Sequence, residues 1–179
     1  MNKVTQSNLS KEIHLNSLLS AIRNIYRILL RNDDSLHLIK GITERFSEPD
    51  GILGAWIVLL DEQGKYLASS QAGLGEGFLI FEHSLKSGAW DHIIQKVQKS
   101  SLPIVIDYPH KICKDRPLRN HSERCTGLAL RLRHNKKDYG VLSIAVDYEF
   151  RDDPEQNRLF QEMAMDIAFK LSQMEQQTH

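Results

Sequence analysis

The 179-residue chain has two cysteines, five prolines and no surplus of charge, with 23 Lys plus Arg against 23 Asp plus Glu. Two cysteines are too few for a disulfide scaffold, and a chain of this length can build a core without one. A zero balance argues against the basic surface with which dedicated DNA-binding proteins meet phosphates. No apolar run approaches the roughly 18 residues of a membrane span. The opening MNKVTQSNLSKE lacks the apolar centre of a secretory signal. These absences leave an ordinary globular domain, expected in the cytoplasm, with neither membrane nor nucleic acid as partner.

What is present is periodic. Leu15, Leu18, Ile22, Ile25 and Leu29 are spaced three, four, three, four, the seam of an amphipathic helix that packs either on its own core or on a second copy. A second helix is expected after it, with Asp34 as cap and Leu36, Ile39, Ile42 and Phe46 inward. GAWIVLLDEQGKYLASSQAG predicts a hairpin, and its first strand is apolar on both faces. GLGEGF, residues 73–78, has glycines spaced as in a dinucleotide loop, but no helix is expected directly after it and no parallel unit surrounds it. It reads as a turn. WDHIIQKVQKS predicts a short helix with Trp90, Ile93, Ile94 and Val97 inward, flanked by His83 and His92, and LPIVID a short strand. TGLALRLRHNKKDYGVLSIAVD alternates as a second hairpin. Asp153, Pro154 and Gln156 then open a last helix whose stripe is Phe160, Met163, Ile167, Leu171 and Met174.

Strands joined by hairpins make an antiparallel sheet. Helices at the chain ends cover one face, while the short helix and loops are left to cover the other. The expected class is α+β. The expected organisation is a flexible segment over residues 1–14, one domain over 15–176 and a tail over 177–179.

Both cysteines fall in HKICKDRPLRNHSERC, residues 110–125. From His110 to Lys137 nine Lys or Arg face two acids, a surplus of seven. Four readings of the segment stay open. His110, Cys113, His121 and Cys125 carry the ligand types of a tetrahedral zinc site. Cys113 beside Lys111, Lys114 and Arg116 has the setting that favours a thiolate, with Cys125 able to resolve a sulfenic acid. Arg116, Arg119 and Arg124, with His110 and Cys113, can form a lid on an anionic or polar ligand, since guanidinium forks match carboxylate and phosphate. Alternatively Ile112, Leu118 and both cysteines simply pack under the loop.

Taken together, AWIVLLDEQGKYLASSQAG, GLALRLRHNKKDYGVLSIAVD and EQNRLFQEMAMDIAFKLSQME resemble a GAF domain, of the type found in bacterial sensor histidine kinases and related signalling proteins. The resemblance runs from about Leu15 to Met174. Such domains often carry Cys-x-x-Cys-Pro-Leu before the last hairpin; here Cys113, Pro117 and Leu118 match and Arg116 stands in place of the second cysteine. The resemblance implies a sensory module for a small molecule, its pocket between sheet and loops. It also implies a homodimer through the terminal helices and a kinase or other output domain as partner. It requires no cofactor and no catalysis. One enzyme of this fold, free methionine-(R)-sulfoxide reductase, has a His-x-x-Cys that His110 and Cys113 resemble, although its upstream cysteines are absent here. A thiol-based reductase is therefore the alternative, and a dimerisation module without ligand is a third reading.

Overall fold

The computed structural model describes residues 3–106 and 125–178. Its elements are α1 (Lys3–Arg31), α2 (Ser35–Phe46), β1 (Ile52–Leu60), β2 (Tyr66–Ala72), α3 (Gly77–Lys86), α4 (Asp91–Lys99), β3 (Ile104–Ile106), β4 (Cys125–His134), β5 (Lys137–Asp147) and α5 (Pro154–Thr178). One 3₁₀ turn, Tyr148–Phe150, precedes α5. The strands form one antiparallel sheet in the order β2-β1-β5-β4-β3. The fold is α+β, as the alternation of hairpins and helices requires.

Alternation divides the sheet residues between two cores. On one face Ile57, Leu59, Leu128, Leu130, Leu132, Leu142, Ile144 and Val146 meet α1, α2 and α5 through Leu18, Ile25, Ile39, Phe46, Phe160 and Ile167. Each such side chain, fully buried, contributes about 1.5–3 kcal/mol relative to exposure. The seam Leu18, Ile22, Ile25 and Leu29 is thus taken up by the chain's own core, as is the stripe of α5. On the other face lies a separate cluster built on Trp56, Val58 and Leu60. That second cluster is why β1 is apolar on both sides.

Local chemistry explains most element ends. Asp34 caps α2 by accepting from the His37 amide at 2.8 Å. The β4–β5 turn is two residues, Asn135 and Lys136, with φ of +47° and +67°, the left-handed pair of a type I′ hairpin. At Gly140 a Cβ would run into the Val58 carbonyl of the neighbouring strand, so only glycine fits this approach.

Three expectations are corrected. Residues 3–14, read as flexible, continue α1, and His14 is buried; their apolar periodicity is weak because most of this stretch faces outward. Leu36 is 55% exposed and Leu38 takes its place in the core, since the inward arc of α2 runs through 38, 39, 42 and 46. A helix does open within GLGEGF, at Gly77. The antiparallel sheet still excludes a dinucleotide-binding unit there.

Candidate functional site

The candidate site is the sheet face turned away from the terminal helices. Register fixes its floor. Trp56 of β1 lies beside Ser143 of β5, which lies beside Ala129 of β4, and Val58, Val141 and Arg131 form the next row. The β1 side of the floor is therefore bulky, while Gly127, Ala129, Ser143 and Ala145 make the β4–β5 side small. The floor is dry: Trp56, Ala129, Ser143 and Ala145 are each 0% exposed.

The roof is aromatic. Phe78, Phe81 and Leu85 descend from α3, and Ile94 and Val97 from α4. Phe81 lies 5.2 Å from Trp56, 4.5 Å from Trp90 in an edge-to-face contact, and 5.7 Å from Phe78. Such pairs are favourable by about 0.5–1.5 kcal/mol beyond area burial. Both tryptophans of the chain belong to this assembly.

A polar rim ties the roof to the edge strand. Glu82 of α3 accepts hydrogen bonds from Ser69 at 2.7 Å and Tyr66 at 3.3 Å, and Lys86 stands 3.4 Å away. The Ser69 hydroxyl, against the opposing effect of burial and with help from Lys86, holds the Glu82 carboxyl below its ordinary range. The carboxylate is ionised and fully engaged, which suits anchoring rather than proton transfer. Lys65 and Asp91, 3.0 Å apart, join the β1–β2 turn to the start of α4 in the same way.

Of the residues singled out from sequence, His110, Cys113, Arg116, Arg119, His121 and Arg124 lie outside the described residues, as do Ile112, Pro117 and Leu118. Cys125 opens β4 opposite Asp147, half-buried, and is disulfide-bonded rather than a free thiol. His83 and His92 are both exposed. Among the described residues no three His, Cys, Asp or Glu side chains gather where a metal could sit. Sequence reasoning missed Phe78, Phe81 and Leu85. Their spacing of three and four is helical, but the glycines before them, and a start without a side-chain cap, hid the helix.

A cavity of about 450 Å³ lies elsewhere, at the sheet end between the start of α2 and the end of α5. Its acids already have partners: Asp34 caps α2, Asp61 holds the β1–β2 turn, and Glu175 takes Lys137 and Tyr139. That cavity is a product of capping and turn chemistry.

An antiparallel sheet enclosed by terminal helices on one side and short aromatic helices on the other is a three-layer α+β arrangement. The particular fold is that of a GAF domain. A GAF domain from a phosphoenolpyruvate-protein phosphotransferase of Coxiella burnetii is 16% identical, covering 90% of this chain and 96% of that one with a TM-score of 0.55. The A. aeolicus nlh2 GAF domain in an inactive state is 15% identical, covering 91% and 98%, with a TM-score of 0.52. A far-red-absorbing dark state with bound biliverdin IXα is 16% identical, covering 87% and 99%, with a TM-score of 0.55. At this identity the shared property is the fold. No family model matches the chain, and no curated protein matches it. No helix among the described residues is long and apolar enough to cross a membrane.

Proposed function

We propose that residues 15–176 act as a sensory GAF domain in signal transduction, binding a small molecule between the outer sheet face and the roof of α3 and α4. One observation carries this reading: the chain maintains a second, aromatic core on that face, over a floor of Gly127, Ala129, Ser143 and Ala145. The structural neighbour with biliverdin supports it as a case of ligand binding on this fold. The mechanism is a population shift, in which a ligand that fits one arrangement of roof and terminal helices favours that arrangement. His110, Cys113, Arg116, Arg119 and Arg124 remain the proposed ligand contacts from the basic segment.

A homodimer through the terminal helices, in the cytoplasm and coupled to a kinase or other output domain, completes the proposal. The seams first suggested for pairing serve the monomer's core, so the pairing surface is a different one. Leu19, Tyr26 and Leu30 form an exposed stripe on α1, and Met165 and Phe169 an exposed pair on α5. Native mass spectrometry of freshly purified protein tests both parts. The expected result is a dimer with a bound organic mass; a bare monomer at every concentration contradicts it.

The reductase reading has one observation in its favour, the disulfide-bonded state of Cys125. Incubation with free methionine sulfoxide and a thiol reductant, with and without Cys113→Ser, decides it. Thiol-dependent turnover lost in the variant supports the enzyme, and no turnover in either protein removes it.

A further inference from the structure

We propose that a groove at the β4 edge of the sheet is a second binding site, for an organic anion with an oxyanion head and a compact apolar body. The groove opens at the sheet edge beside α5; it shares Arg131 with the outer row of the roofed face but does not rest on the reading given for that face.

Its existence follows from the shortness of β3. That strand pairs only with Gly127, Leu128 and Ala129 of the ten-residue β4. Beyond Ala129 the place beside β4 is taken by a groove of about 410 Å³, bounded by Ser100 to Leu102, by Leu130, Arg131 and Arg133, and by the outer side of α5 from Arg158 to Met165. This volume falls within the roughly 300–1,000 Å³ of small-ligand sites.

Three guanidiniums line the groove, and their states differ. Arg133 is neutralised by Asp138 through two bonds of 2.7 Å. Arg158 shares an exposed pair with Glu162, and such pairs are worth so little that a better anion displaces them. Arg131 is half-buried, its guanidinium donates to the Gln98 carbonyl at 3.0 Å, and it makes no ion pair with any described carboxylate. Among the described residues this half-buried cation is held by a carbonyl dipole, which compensates it less than an anion does. A carboxylate or phosphate completes it, because either accepts two parallel N–H bonds from a guanidinium.

The apolar part of the lining sets the rest of the ligand. Leu130 and Ala164 are buried at the floor, while Leu102 and Met165 are 64% and 61% exposed. An inorganic ion would leave these side chains uncovered, whereas an alkyl or aryl body beside the charged head covers them. A bound anion would touch β4, the end of α4 through the Gln98–Arg131 bond, and α5. It would therefore link the sheet to the last helix.

The test is calorimetric titration of the full chain with octanoate and octyl phosphate, against acetate and octanol as head-only and tail-only controls. The expected result is saturable binding of one or both octyl anions. Acetate and octanol should bind about tenfold or more weaker, and Arg131→Gln and Arg158→Gln should each weaken the octyl anion by about tenfold. Which anion binds tells carboxylate from phosphate ester. Should Arg131→Gln fail to fold, Arg158→Gln, on an exposed helix face, answers alone. The proposal is overturned if octanol binds as well as octanoate, if the folded variants bind like the wild type, or if neither octyl anion binds up to about 10 mM. Weakening by Arg131→Gln together with wild-type binding in Arg158→Gln would put the anion under the roof and overturn the groove, since Arg131 borders both places while Arg158 stands on α5, away from the roof.

Discussion

His14 shows how one side chain can join three parts of the molecule. Its ring stacks on Phe150 at 4.0 Å, with Nδ1 2.5 Å from the Asp50 carbonyl and Nε2 2.6 Å from Gln156 Oε1. The Gln156 amide is fixed in turn by donating to the Phe150 carbonyl at 2.8 Å. Replacing His14 by Ala leaves a cavity beside Phe150 and takes a partner from the buried Gln156 side chain, so a loss of about 2–4 kcal/mol is expected in denaturant unfolding. A loss under about 0.5 kcal/mol would show that the knot does not hold α1 in place. Nothing in the sequence marks His14, because its partners lie 36 and 142 residues away. Cys125 makes a different prediction. As a bonded cysteine it should resist alkylation of the native protein until reductant is added. Its prompt alkylation without reductant would contradict the bonded state.

Among the elements, α5 was the most legible, since Asp153, Pro154 and the apolar stripe all agree on its start and its inner face. Asp153 accepts from the Gln156 amide at 2.9 Å and pairs with Lys11 at 2.8 Å. Gln156 does not return the favour as a capping-box side chain does; it turns instead to His14. Burial alone would raise the Asp153 carboxyl, but the Gln156 amide and Lys11 outweigh it and hold it below its ordinary range. A depressed carboxyl stabilises the fold above its unfolded value, near pH 3.9, and that contribution fades as pH falls through the folded value. Wild type should therefore lose more stability than Asp153→Asn between about pH 5 and pH 3 in denaturant melts. Parallel losses would show that the cap is indifferent to charge. The weakest signals belonged to α3 and β3. One opens on glycines without a side-chain cap, and the other is three residues long, too short for alternation to appear.

At the scale of the whole molecule, binary pattern and turn chemistry were enough for the β1–β2 and β4–β5 hairpins, whose strands follow one another through short turns, but not for the β1–β5 and β3–β4 pairings, which join strands far apart in the chain. They also pointed to a covered second face, since no exposed sheet face would carry Trp56, Val58 and Leu60. They could not supply the aromatic roof, which depends on α3, nor the groove beside β4, which depends on where β3 stops. The central claim is that the roofed face holds a small molecule. It is tested most directly with Trp90→Phe, which leaves Trp56 as the single tryptophan on the floor. Emission and native mass are compared for the protein as isolated and after unfolding, dialysis and refolding. The account predicts that refolded protein loses a bound mass and shifts its Trp56 emission, and that both return when the dialysed small molecules are restored. Identical mass and emission before and after would contradict it.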